Sequence, residues 1–225
     1  MNRFIALLFV VITINSCQNI TTAQQTIRYV ALGDSYTFGL GAKKGEDWPS
    51  LLTKHLKENT IPVELTANLA VSGRTTYGVI DAELPVLDEL KPSFVTLLIG
   101  VNDWIVGVDT AAFRENLVLI IDHIQTLLPN KSKLVVITLP DFSTVPSAYK
   151  YSKGRDVTKG ISAFNSIIIS EAKKHGLKTA DLFESSKKVK ENPDWIAEDG
   201  FHPSAKGYTV WETLIYPVAY SLLMK

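Results

Sequence analysis

The chain has 225 residues, with 23 Lys and Arg against 23 Asp and Glu, so it lacks the basic excess that counterion release on nucleic acid requires. Hydrophobic residues make up 46% and charged residues 20%, which excludes a disordered chain and leaves one large globular domain or two small ones. One Cys and four His exclude a disulfide scaffold and a Cys-based metal cage, and leave little room for a multi-histidine site.

After Met1-Asn2-Arg3 comes an apolar run from Phe4 to Ile14. It is too short to span ~30 Å of hydrocarbon as a helix. With one Arg ahead of it, the run fits a signal-peptide core, the alternative being a buried N-terminal helix or strand. Cys17 follows in Ile14-Asn15-Ser16-Cys17, which resembles a bacterial lipobox, where the Cys becomes the lipidated first residue and anchors the protein to a membrane. Asn15 stands where that motif prefers a small residue. The rival is ordinary cleavage after Thr21-Thr22-Ala23. We favour the lipobox; either form exports the mature chain, to the periplasm, the cell envelope or the medium. Residues 1–23 are thus read as a signal peptide and residues 24–225 as one folded domain.

From there strand and helix patterns alternate. Ile27–Leu32 reads as a strand ended by Gly33, and Asp47–Asn59 as a helix with Pro49 near its start. Pro62–Leu69 reads as a strand and Tyr77–Leu90 as a helix bent at Pro85. Phe94–Ile99 and Leu134–Leu139 are continuous apolar runs, as in strands buried on both faces. Helices are expected over Ala111–Leu128, over Lys159–His175 with Gly176 as its C-cap, and over Ser204–Leu222; Leu177–Phe183 is a fifth strand. This order predicts a parallel sheet with helices on both faces. The long polar segment Asp141–Thr158 exceeds an ordinary strand-to-helix loop, so it is expected to border a pocket as a lid.

Sheets of this kind place their sites at the carboxyl ends of the strands, and four segments there carry reactive groups. In Gly33-Asp34-Ser35-Tyr36-Thr37 a serine sits on a turn entering a helix, where backbone N–H groups face an incoming anion; the alternative is an ordinary N-cap. In Asn68 to Thr76, Gly73 lets backbone approach a ligand closely, or else marks a common loop. In Ile99 to Trp104, Asn102 has an amide that suits a developing oxyanion, or else forms an Asx-turn. In Asp199-Gly200-Phe201-His202-Pro203-Ser204 the Asp and His are spaced to hydrogen-bond, which orients a base. His55, His123 and His175 fall on helices among polar neighbours and are expected to be solvated. Together the four segments supply the roles that acyl transfer needs.

These residues resemble the SGNH (GDSL-like) hydrolase superfamily. Gly33-Asp34-Ser35 resembles its first block, with Tyr36 where Leu often stands. Gly73 lies in a segment like the second, Gly100-Val101-Asn102-Asp103 matches GxND of the third, and Asp199 to Pro203 matches DxxHP of the last. The resemblance runs from about Tyr29 to the last helix. It implies a three-layer α/β/α fold with a five-stranded, flavodoxin-like parallel sheet. It implies Ser35 as nucleophile, His202 as base and Asp199 as the orienting acid. The Ser35 N–H, the Gly73 N–H and the Asn102 side chain would form the oxyanion hole. No metal or organic cofactor is expected. Asp34, Tyr36 and Trp104 are candidate substrate contacts. The expected activity is lysophospholipase- or thioesterase-like hydrolysis of a small-molecule, lipid or glycan ester. The alternatives are a carbohydrate O-acetylesterase and a non-catalytic binding module.

Overall fold

The computed structural model describes residues 25–224. The signal-peptide reading of residues 1–23 and the lipidation of Cys17 lie outside the described residues.

Five parallel strands, β1 (Ile27–Gly33), β2 (Val63–Asn68), β3 (Phe94–Leu98), β4 (Leu134–Ile137) and β5 (Lys178–Ala180), form one sheet in the order β2-β1-β3-β4-β5. This is the doubly wound, three-layer architecture expected from the sequence. The two apolar runs are central strands, and every residue of β3 and β4 is buried. Thr96 is the polar exception, and it is paired with the Tyr29 hydroxyl at 2.8 Å.

The helices are α1 (Ser35–Phe38), α2 (Trp48–Glu58), α3 (Thr76–Gly78), α4 (Leu84–Leu90), α5 (Val101–Val106), α6 (Thr110–Leu127), α7 (Ala148–Ser152), α8 (Val157–Lys174), α9 (Phe183–Ser186) and α10 (Ala205–Leu223). On one face α2 packs on α10; on the other α6 packs on α8 and α4. Side-chain caps set the long starts. Asp47, Asp109, Asp156 and Ser204 each accept a first-turn N–H, and Asp156 starts α8 two residues before the expected Lys159.

Two elements depart from the expected pattern. The helix expected over Tyr77–Leu90 is interrupted by a π-helical stretch, Val79–Glu83, and resumes as α4 with Pro85 in its first turn. Proline has no N–H to lose there, so the widened turn forfeits little. The strands β4 and β5 are shorter than expected because side chains take over the ladder. The Asn165 amide bonds Leu139 N and O at 2.7 and 2.9 Å, and Leu182 N–H donates to Thr138 Oγ1 at 2.9 Å.

The three helical histidines also differ from the expectation. His55 Nδ1 lies 2.9 Å from Glu212, His123 Nε2 2.6 Å from Asp88, and His175 Nε2 3.2 Å from Asp122. Each meets a carboxylate from another helix, a pairing that periodicity within one helix does not reveal.

Candidate active site

The turn after β1 places Ser35. Asp34 caps α1, its Oδ1 accepting the Tyr36 N–H at 3.0 Å, while the Thr37 and Phe38 N–H groups go to the Asp34 carbonyl. The helix thereby leaves the Ser35 N–H free at its amino end. Gly33 permits this turn: at φ +153° a Cβ there would meet the Leu98 carbonyl at 2.4 Å.

The C-terminal loop meets the same turn. His202 Nδ1–H donates to Asp199 Oδ2 at 2.6 Å, which leaves Nε2 to accept the Ser35 hydroxyl proton at 2.9 Å. Asp199 Oδ1 also accepts the Phe201 and His202 N–H groups at 2.8 and 3.0 Å. Partial burial raises the Asp199 carboxyl, but the bonds from His202 and Phe201 outweigh it and hold the group below its usual value. Aromatic rings grip the imidazole: Tyr36 and Phe201 meet it edge-on at 5.5 and 5.0 Å between ring centres. Ser35 and His202 are 6% and 7% exposed, enough to leave one side of each group open.

Gly73 ends a turn whose Arg74 N–H returns to the Val71 carbonyl at 3.2 Å. Its φ of +79° needs glycine, and nothing lies within 4 Å of where a Cβ would be. Asn102 sits in the first turn of α5, but it makes no Asx-turn. Its Nδ2 donates across the site to the Arg74 carbonyl at 3.0 Å and to Asp34 Oδ2 at 3.3 Å. Asp103, beside it, accepts the Thr76 N–H and hydroxyl and so fixes the far end of the Gly73 loop. The structure therefore brings Ser35, His202, Asp199, Gly73 and Asn102 to one edge of the sheet.

The candidate substrate contacts are placed differently. Asp34 is 1% exposed, and its oxygens are taken by Tyr36 and Asn102. Burial, aided by the Asp103 charge, pushes its carboxyl up to about 7. Tyr36 packs inward on Phe201 and Trp211. The Trp104 indole lies between the Arg155 guanidinium, 4.1 Å from its ring, and Gly160. All three are packed behind the site. Their signal in the sequence was proximity to the motifs, which does not distinguish a lining from a support.

The segment from Asp141 to Thr158 is ordered, with Phe142, Val145 and Ser152 buried, and it borders a small cavity as expected, Asp141, Phe142 and Val145 lining it with Tyr36 and Phe201. Ser147 donates to the Gly200 and Asp199 carbonyls at 2.9 and 3.0 Å, and Arg155 donates to the Trp104 and Ile105 carbonyls at 2.7 and 2.9 Å. Exposed apolar residues stand in the segments that follow the carboxyl ends of β1, β2 and β3: Phe38, Leu40, Val71, Tyr77 and Val106. Sequence reasoning missed Glu83, which is buried beneath the site; its i±4 spacing from Val79 and Leu87, both buried, is the signal that it faces inward. Among the described residues, no group of three or more His, Cys, Asp or Glu side chains is placed to hold a metal ion. No helix there is long and apolar enough to cross a membrane.

Comparison with known proteins agrees with this picture. The chain is 27% identical over 182 residues to an arylesterase of Vibrio mimicus, an alignment covering 80% of this chain and 82% of that protein. It is 34% identical over 96 residues to the esterase TesA of Pseudomonas aeruginosa, covering 42% of this chain and 46% of that one. Among solved structures it resembles TesA (TM-score 0.70, 23% identity, 87% of this chain and 99% of that one). It likewise resembles a family 3 carbohydrate esterase of Clostridium thermocellum (TM-score 0.71, 21% identity, 89% and 98%). Fold and relatives together define an α/β enzyme that hydrolyses ester bonds. The chain belongs to the GDSL-like Lipase/Acylhydrolase family, which it matches over residues 31–210, and the SGNH resemblance of its motifs holds.

Proposed function

We propose that the protein is an exported serine esterase that cleaves carboxylic esters of apolar acyl groups through a covalent acyl-enzyme. The observation that carries this reading is the unbroken hydrogen-bonded chain from Asp199 through His202 to the Ser35 hydroxyl, at 2.6 and 2.9 Å. His202 Nε2 takes the hydroxyl proton as Ser35 Oγ attacks the ester carbonyl. The oxyanion forms against the Ser35 and Gly73 N–H groups and against the Asn102 amide, which gives up its longer bond, the one to Asp34 Oδ2 at 3.3 Å, to donate there. His202 then gives its proton to the leaving alcohol, and a water, deprotonated by the same ring, releases the acid and restores Ser35.

The exposed Phe38, Leu40, Val71, Tyr77 and Val106 in the segments after the strand ends favour an apolar acyl group over an acetylated polysaccharide, whose sugar hydroxyls would gain little there. An ester panel from acetyl to palmitoyl, with acetylated xylan alongside, tests this on the chain without residues 1–23. A rate that peaks on acetylated xylan would replace this reading by the carbohydrate one. A fluorophosphonate probe should label Ser35 alone, and labelling at Ser72 or Ser204 would reject the nucleophile. Export and lipid anchoring rest on the apolar run and Cys17. Palmitate incorporation that disappears in Cys17→Ser supports them, and incorporation that survives it rejects the anchor.

A further inference from the structure

Glu83 is 2% exposed, at the end of the π-helical stretch that interrupts its helix, and such widened turns recur at functional sites. Its two oxygens face two different segments. Oε2 accepts the Gly33 N–H at 3.1 Å, two residues before Ser35. Oε1 lies 3.2 Å from Nε of Arg74, the residue after Gly73. Those two atoms lack the alignment of a hydrogen bond, so this arm is a close approach between the two side chains. The Arg74 carbonyl, in turn, receives the Asn102 amide at 3.0 Å. The Arg74 side chain lies flat over Gly78, where a Cβ would come within 2.5 Å of its Cδ. Glu83 thus touches both segments that carry a backbone oxyanion donor, and Asn102 is tied to the same two segments.

The group is expensive to keep. Burial, offset in part by the Gly33 N–H and Arg74 and reinforced by the Asp34 charge, pushes its carboxyl up to about 8. An apolar residue of similar volume at a buried ionic position is often neutral or stabilising, so fold stability alone does not explain a glutamate here. We propose that Glu83 is a positioning residue for ester hydrolysis: it sets the separation of the Ser35 turn and the Gly73–Arg74 loop, so that the Ser35 and Gly73 N–H groups converge on one oxygen. The proposal rests on the serine-esterase reading above. Its consequence is confined to the transition state, where the oxyanion forms, and so to kcat rather than KM.

The test compares Glu83→Gln and Glu83→Leu with the parent on a p-nitrophenyl ester, reading kcat, KM and the melting temperature. Glu83→Gln leaves one side-chain acceptor for two facing groups, the Gly33 N–H and Arg74 Nε, so kcat should fall ~10-fold with KM within about 2-fold. Glu83→Leu loses both contacts and should lower kcat by about 10²-fold, the scale of an ångström-sized misplacement, while the melting temperature holds or rises. Arg74→Met combined with Glu83→Leu should be no slower than the slower single variant, because both act through one bridge. A purely structural glutamate would give the opposite split: lower melting and a kcat within 2-fold of the parent in the folded variants. That result overturns the proposal, and if Glu83→Leu does not fold, Glu83→Gln decides alone. A Ser35→Ala variant run beside them separates the two readings. If it keeps the parent rate, the serine-esterase reading falls and takes this one with it; if it is inactive while Glu83→Gln keeps its kcat, only the role of Glu83 falls.

Discussion

The two sides of Ser35 are built on opposite electrostatic plans. On the histidine side, the Asp199 side chain is 43% exposed, accepts three hydrogen bonds and is held below the usual carboxylate range. On the other side, Asp34, Glu83 and Asp103 are buried and raised by desolvation above anything their partners offset. The first plan keeps a charge ready at neutral pH to steady an imidazolium. The second uses carboxyl groups as struts between segments that hold backbone donors. In the proposed mechanism one acid serves the proton transfer, and the other three hold the segments around the oxyanion pocket.

Substitutions on the histidine side should give the largest losses and the least structural damage. Ser35→Ala and His202→Ala should each lower kcat by on the order of 10⁴–10⁶-fold, measured against p-nitrophenyl acetate. Asp199→Asn should be milder, ~10⁴-fold or less, because it orients the ring without moving the proton. Equal losses for Asp199→Asn and His202→Ala would mean that Asp199 does more than orient.

The donor side should give mixed losses. Asn102→Ala should lower kcat about 10²–10³-fold with little change in KM. Because Asn102 also bridges Arg74 and Asp34, the two lost bonds should lower melting by a few degrees, at about 1 kcal/mol each. A normal kcat with lowered melting would leave the oxyanion to the two backbone N–H groups. Gly160→Ala tests the support behind it, since a Cβ there would run into the Trp104 indole beside Asn102. It should cost about 1–3 kcal/mol by overpacking and lower kcat as α5 shifts; melting that drops while kcat holds would show that α5 absorbs the strain.

The smallest effect is on stability against pH. Asp34 and Glu83, raised to about 7 and about 8, and Asp103, also raised, keep their protons in the folded state over a range where the unfolded chain releases them, from ~4 upward. The folded state binds more protons there, so stability falls as pH rises through that window. Melting should be higher near pH 5 than near pH 8, and Asp34→Asn should flatten the difference. Asp199 acts with the other sign, losing its contribution only as pH drops below the usual carboxylate range. Melting that rises steadily from pH 5 to 8 would mean that the buried acids are ionised in the fold.

Much of this comparison was legible in the chain, but unevenly. Asp199 and His202 lie three residues apart and Ser35 follows a clear strand, so the histidine side could be read from local spacing. The donor side could be read only where a motif residue contributed directly, at Gly73 and Asn102. Glu83 lies in a helix with no motif of its own, and Arg74, Asp103 and Thr76 adjoin the motif residues without a local pattern that marks their partners. Asp34, Tyr36 and Trp104 adjoin the motifs, which suggests contact with a substrate, whereas all three side chains are buried. The length of the segment from 141 to 158 points to a pocket border, and its first residues do line a cavity; that Phe142 and Val145 anchor it in the core is not forecast by single-residue polarity.

By itself the sequence determined the alternation of strands and helices, the parallel sheet covered on both faces and the identity of the groups at the strand ends. Periodicity, caps and apolar runs are local signals, and a parallel sheet puts every carboxyl end on one edge. Only the tertiary structure decided which buried acids link which loops, that the Asn102 amide reaches Arg74 rather than its own turn, and that Asp34 is a strut. Those contacts join residues as far as 68 positions apart. They form because closing the sheet brings Gly33, Arg74, Glu83 and Asn102 together, and no property of any one segment encodes that meeting.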